Sequence, residues 1–289
     1  MNFLQVALLR WYHANLTASF AVGAFPFGLA FDGGNIWVAS NNSDAVTKLR
    51  ACDGANLGTF AVGTSPEDVA CDGAAVWITN FGSDNVTKLR ASDGAPLGLF
   101  AVGTGPEGVA FDGANIWVAN SGTNNVTKLR ASDGANLGTF PVGNQPRGLA
   151  FDGNNIWVTN RLTNNVTKLR ASDGANLGTF PVGAFPLGAA FDGANIWVAN
   201  SNSNNLTKLR ASDGANLGTF PVGNGPRALA FDGVHMWVAN ATSNDVTQLR
   251  ASDGAEIGTF PVGTAPENLA FDGANIWVSN SVSNTVWKL

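Results

Sequence analysis

Trp37, Trp77, Trp117, Trp157, Trp197, Trp237 and Trp277 stand 40 residues apart, with no insertion between any two of them. A fixed period of this kind means that one supersecondary unit is repeated, and it constrains the architecture more than any other feature. Around each tryptophan the text recurs almost verbatim: Phe-Asp-Gly-Ala-Asn-Ile-Trp-Val-Ala-Asn, then Asn-Val-Thr-Lys-Leu-Arg, then Ala-Ser-Asp-Gly-Ala-Asn-Leu-Gly-Thr-Phe. The copies run unbroken over 10–289, which reads as one domain, with residues 1–9 as an N-terminal extension.

Turn chemistry divides each copy into four short strands. In the third copy, 108–111 is a β-prone run closed by Asp112-Gly113, a dipeptide that supplies positive φ. Residues 115–120 follow, apolar at successive positions, then a polar loop over 121–125, a third strand over 126–130, a turn at Asp133-Gly134 and a fourth strand over 137–142. Strand two does not alternate, so both its faces are expected to be buried. Seven four-stranded antiparallel sheets packed face to face around an axis meet that demand, and the expected fold is an all-β, seven-bladed β-propeller. At about 150–250 Å² and roughly 25 cal/mol per Å², each tryptophan then contributes at most ~4–6 kcal/mol before entropy is counted.

Pro141, Pro181, Pro221 and Pro261 fall in strand four, where a missing N–H is tolerable only at a sheet edge, so that strand is placed outermost. The seventh copy stops after a third strand at Leu289, while 15–22 matches the strand-four text of 56–62 with one extra residue. The N-terminal outer strand is therefore expected to complete the C-terminal blade and close the ring.

Charged residues make up 13% of the chain and glycine occurs 35 times, which favours tight turns over a helical solenoid. The net charge of −5 argues against nucleic acid, because phosphate binding needs a clustered positive surface. No apolar run approaches the roughly 20 residues that span a bilayer, so no membrane role is expected. The apolar stretch 3–9 lacks a basic flank and a small-residue cleavage site and does not read as a signal peptide. No compartment is legible: cytoplasmic is the default, and export would follow only if a leader had been removed. Cys52 and Cys71 replace residues that other copies supply as Ser and Phe, and both are expected to be free thiols.

Blocks such as Asn115-Ile-Trp-Val-Ala-Asn-Ser-Gly-Thr-Asn-Asn-Val-Thr-Lys-Leu resemble the YVTN-type propeller repeat. The chain from Arg10 onward is similar to that broad group, which includes NHL-type propellers and streptogramin (virginiamycin B) lyase-like proteins. The near identity of the copies is that of a recently amplified or consensus-designed array. For the lyase-like members the resemblance implies a histidine, a carboxylate and a divalent metal at the variable face. Here His13 aligns with a turn between strands three and four, and His235 with one between strands one and two, both on the opposite face. No catalytic set, metal site or cofactor site is therefore expected.

The two faces differ in how much the copies vary. Asp-Gly recurs at every turn joining strands one and two and at every turn joining strands three and four. On the other face the residue after each loop proline reads Phe27, Glu67, Glu107, Arg147, Leu187, Arg227, Glu267, and the residue before it Phe25, Ser65, Gly105, Gln145, Phe185, Gly225, Ala265. The loop joining strands two and three adds Phe81, Arg161 and Leu162, and Asp68 and Asn268 follow Glu67 and Glu267. Loops on a rigid scaffold are where recognition sits, though tolerance of drift would also scatter residues there.

The expected surface has an acidic arc (Glu67, Asp68, Glu107, Glu267), solvated in character, a basic arc (Arg147, Arg161, Arg227), and Phe25, Phe27, Phe81, Phe185, Leu162 and Leu187 between them. Exposed aromatics and arginines are the usual anchors of a protein interface. The chain is thus expected to be a monomeric, non-catalytic scaffold binding a protein, peptide or small ligand at this face. A lyase-like enzyme at the channel mouth, and an array with no evolved partner, are the alternatives. The recurrent arginines from Arg10 to Arg250 beside the Asp-Gly turns are expected to form structural ion pairs.

Overall fold

A computed structural model describes residues 18–289; the extension over 1–9, His13 and Arg10 lie outside the described residues. Seven four-stranded antiparallel sheets form the ring. In the third blade the strands are Pro106–Phe111, Asn115–Asn120, Asn125–Arg130 and Asn136–Pro141, in that order from the axis outward. The first strand starts at the loop proline, two residues earlier than turn chemistry suggests. The proline-bearing strand is the edge of its sheet, as a residue without an N–H requires.

The seventh sheet contains Pro266–Phe271, Ile276–Asn280, Thr285–Lys288 and, at its edge, Ala18–Ala21. Phe20 pairs with Val286 and Ala21 with Thr285, so the two ends of the described chain are joined by an antiparallel ladder. Backbone hydrogen bonds there replace the covalent continuity that the other blades have.

Strand two is the core, and both its faces are closed. Ile116, Trp117, Val118 and Ala119 are all fully buried. Each indole packs on the phenylalanine of its own fourth strand, Trp117 on Phe140 with ring centroids 5.5 Å apart. That pair faces the next blade, where Trp117 meets Ile156, Val158 and Leu169. The edge phenylalanine lies against the following blade's glycine turn. A Cβ on Gly94, itself at φ +75°, would sit 2.1 Å from a Phe60 ring carbon, so both its conformation and its contact demand glycine.

Two polar devices complete each wedge. The strand-one turn aspartate accepts from its own tryptophan, Trp117 Nε1 to Asp112 Oδ2 at 2.8 Å, and from Asn115 Nδ2 and the backbone N–H groups of Ala114 and Asn115. The strand-three lysine crosses to the next blade: Lys128 Nζ donates to Ala171 O at 2.6 Å and lies 5.0 Å from the Trp117 ring. A buried ammonium is tolerable there because carbonyl oxygens and an aromatic face replace its water. In the sixth blade Gln248 stands where this lysine recurs, and Trp237 is partly exposed with Phe260 beside it.

The arginines beside the outer turns do pair with aspartates three residues on, as Arg130 with Asp133 at 2.9 Å, but both partners are half-exposed. Pairs of this kind contribute about 0–1 kcal/mol each. Cys52 and Cys71 are unpaired.

Candidate functional site at the loop end of the ring

The end of the ring carrying the loops before strand one and after strand two is built on an unusual backbone. All seven residues preceding the loop prolines lie in the left-handed region: Phe25, Ser65, Gly105, Gln145, Phe185, Gly225 and Ala265, with φ between 51° and 66°. Each is held by the preceding blade. Phe185 N–H donates to Asn164 Oδ1 at 2.9 Å and Gln145 N–H to Asn124 Oδ1 at 2.8 Å; Asp44, Asp84, Asn204, Asn244 and Asn284 do the same for the others. Those Asn and Asp residues are constant within otherwise variable loops because they tie one blade's loop to the next. The result is a rigid rim.

The residues following the prolines surround the axis. Phe27, Glu67, Glu107, Arg147, Leu187, Arg227 and Glu267 line one cavity of about 230 Å³, together with Asp68, Asn268 and aliphatic residues such as Leu29, Val109 and Leu149. Asn268 Nδ2 donates across to Asp68 Oδ1 at 3.2 Å, bridging the seventh and second blades.

The cavity acids come from blades seven, two and three and the bases from blades four and six. Glu107 is 5% exposed and is paired with Arg161 at 3.0 Å and Arg147 at 3.4 Å. Glu267, also 5% exposed, is paired with Arg227 at 2.5 Å and accepts from Ser281. The pairs therefore form where the acidic blades border the basic ones, and these two carboxylates are buried, which corrects the reading of a solvated acidic patch. Leu187 is buried as well and belongs to the wall of the channel, not to an exposed surface.

Burial sets the titration of this cluster. Removal from water pushes Glu67 up to about 7; Arg147 opposes that rise, while Glu107, Glu267 and Asp68 add to it. Asp68 is pushed up to about 6 by burial, against hydrogen bonds from the Val109 and Val69 N–H groups. Glu267 is also raised by burial, with Arg227 and Arg147 holding it down.

Around the cavity lies an apolar rim. Phe25 and Phe27 pack with their rings tilted by 45° and centroids 5.3 Å apart. Phe81, Leu162 and Val282 are exposed, at 42%, 55% and 59%. Arg161 lies over the Phe185 ring at 5.5 Å while bonding Gln145 and Glu107, so it spans three successive blades. Val282 was not singled out from the sequence; its exposure at the tip of a strand two–three loop is what adds it.

The divalent metal implied by the lyase-like resemblance does not fit this mouth. His235 is at the other end, its Nδ1 3.1 Å from Asp232, and among the described residues no three His, Cys, Asp or Glu side chains are grouped to hold a metal.

No family model and no curated protein matches the sequence. Solved structures are similar in fold. A streptogramin B lyase superposes with a TM-score of 0.83 at 17% identity, covering 94% of this chain and 96% of that one. A hydrazine synthase of Kuenenia stuttgartiensis gives 0.83 at 18% identity, over 93% and 97% of the two chains. The virginiamycin B lyase of Staphylococcus aureus gives 0.81 at 17% identity, over 94% and 98%. At these identities the likeness is one of fold, a seven-bladed propeller, and the activities in those names stay with those proteins.

Proposed function

We propose that this chain is a non-catalytic binding scaffold that takes a protein or peptide segment at the loop end of the ring. The observation that carries the reading is the left-handed pre-proline position. Glycine occupies that conformation without strain, and two blades use it. Five blades keep a side chain there, two of them phenylalanine, each at roughly 1–2 kcal/mol of conformational cost. Tolerated drift gives no reason to hold bulky groups where glycine is favoured, whereas selection for a contact surface does. The rim offers what an interface core uses: Phe25, Phe27, Phe81, Leu162 and Phe185, with Arg161 stacked among them.

Selection of a displayed peptide library on the immobilised protein tests this. Peptides whose binding collapses on changing Phe81 and Leu162 to Ser and Phe185 to Ala support the reading. A set of peptides indifferent to all three changes overturns it and leaves the chain as an amplified array without an evolved partner.

An enzyme at the same mouth is the second reading. It is favoured by Glu67, a carboxyl titrating near neutrality as a general acid or base must. Turnover of a small molecule that Glu67→Gln abolishes would replace the scaffold reading.

A further inference from the structure

We propose that the axial cavity receives one basic side chain, a lysine or arginine of the bound segment, seated between the Phe25–Phe27 pair and the carboxylates of the second blade. The proposal rests on the scaffold reading and specifies the chemistry of its central anchor.

The first support is a count of charges. Four carboxylates, Glu67, Asp68, Glu107 and Glu267, line the cavity with two guanidiniums, Arg147 and Arg227. Arg161 reaches in from the rim to Glu107. Four against three leaves one negative charge without a counterpart, and a single cation balances it. The surplus is localised. Glu107 and Glu267 have their arginines, whereas Glu67 and Asp68 have no cation within 4.0 Å among the described residues. Asp68 spends its oxygens on the N–H groups of Val69 and Val109 and on Asn268. Glu67 accepts at Oε1 from Asn41 Nδ2 at 3.0 Å. Among the described residues nothing donates to its other oxygen.

The second support is a buried acceptor without a hydrogen bond on a residue that lines the same cavity. Glu107 is nine-tenths buried, yet its Oε2, 3.4 Å from Arg147, accepts no hydrogen bond among the described residues. An ammonium or guanidinium brings several donors to one place, which suits Glu67 beside an oxygen of Glu107 that has an ion-pair partner but no hydrogen bond.

The third is the wall beside them. Phe27 occupies in the first blade the position that Glu67 occupies in the second, and both line the cavity. An aromatic wall suits the aliphatic stem of a lysine or the face of an arginine, and attracts the charged end. An anionic or purely apolar group finds no such balance, because it would add to the surplus or leave it buried.

Without a ligand, a proton supplies the missing positive charge. Glu67 faces Arg147, Glu107, Glu267 and Asp68, and with burial these hold it partly protonated near neutral pH. A basic side chain must therefore displace a proton, and its binding is linked to pH. With Glu67 at about 7, affinity is about tenfold greater at pH 8 than at pH 6.

The test uses N-acetyl-arginine amide and N-acetyl-lysine amide as probes, with N-acetyl-norleucine amide as the uncharged control, titrated calorimetrically into the whole chain at pH 6 and pH 8. Expected are binding of the basic probes over the control, release of a proton near pH 7 seen as a buffer-dependent heat, and the pH dependence above. Glu67→Gln should remove the proton release and cut affinity at pH 8 about tenfold. Phe27→Ala should weaken binding without changing the proton count. Equal binding of the norleucine control, or binding unaltered by Glu67→Gln, overturns the proposal. Rim-dependent peptides that lack an enriched Lys or Arg, with no probe bound, sink this inference while leaving the scaffold reading intact. Absence of any rim-dependent peptide removes both.

Discussion

The two ends of the ring are made from the same 40-residue unit and use its carboxylates in opposite ways. At the turn end each aspartate is saturated: Asp152 accepts from Trp157, Asn155 and two backbone N–H groups, and those bonds outweigh burial to hold it below the usual carboxylate range. At the loop end, burial pushes Glu67 and Asp68 upward, Asp68 against three hydrogen bonds and Glu67 with one donor among the described residues. One end uses buried charge to lock the blades. The other keeps a charge imbalance inside a preformed mouth, and such sites are where binding is to be sought.

The largest difference should appear in stability. Trp157→Ala removes the fully buried centre of a wedge and should cost about 3–5 kcal/mol. Asp152→Ala, which leaves the indole N–H without its acceptor, should cost about 1–3 kcal/mol. Leu162→Ser at the exposed rim should stay within about 0.5 kcal/mol. Urea unfolding followed by tryptophan fluorescence measures all three, and a rim change as costly as Asp152→Ala would erase the contrast.

The pH dependence of stability should carry both signs. For Glu67 the folded value of about 7 lies above the ordinary 4.5, so its contribution is complete below about 4.5 and is lost as pH rises through 7. Glu67→Gln should therefore stabilise the protein at pH 8, by on the order of 2 kcal/mol, and leave it unchanged at pH 4. The clamp aspartates Asp32, Asp112, Asp152, Asp192, Asp232 and Asp272 are shifted downward despite burial, chiefly by their indole and neighbouring N–H donors. Their stabilisation is present above the ordinary 3.8 and is lost as pH falls through their folded values. Melting temperature against pH should thus fall steeply below pH 4 in the wild type and in Glu67→Gln alike, with the two curves parting only above pH 5.

The smallest effect concerns the strained rim. Ala265, at φ 56°, should gain about 1 kcal/mol on Ala265→Gly, since glycine carries no penalty in that region. A loss of stability instead would show that the left-handed rim is not strained and would remove the main support for selected side chains.

Much of this was legible in the sequence because the period does the work of an alignment. The tryptophan spacing gave the blade count, the Pro141 series gave the outer edge, and the strand-four text before Gly23 gave the closure by Ala18–Ala21. The prominence of Phe25, Phe27, Phe81, Arg161 and Phe185 was also readable, since they break a repeated text.

What escaped was pairing across blades. Glu107 and Arg161 are 54 residues apart and meet only because the ring brings successive blades together. Residues sorted by sign give two arcs but not the ion pairs that join them at their borders. Two constant features carry further signals. An aspartate five residues before every tryptophan is the indole acceptor, and an Asn or Asp at 44, 84 and every 40 residues thereafter bolts each loop to its neighbour. Constancy inside a variable loop was the clue to the second.

The most direct measurement is a matched comparison of the two ends on one ligand. A peptide selected on the wild type is titrated against a rim variant (Phe81→Ser, Leu162→Ser, Phe185→Ala) and a turn-end variant (Leu97→Ser, Leu137→Ser, Leu177→Ser), which alters leucines 40–42% exposed on the outer strands. Affinity lost at least tenfold in the first and unchanged in the second is the predicted result. The reverse pattern, or equal losses in both, would contradict recognition at the loop end.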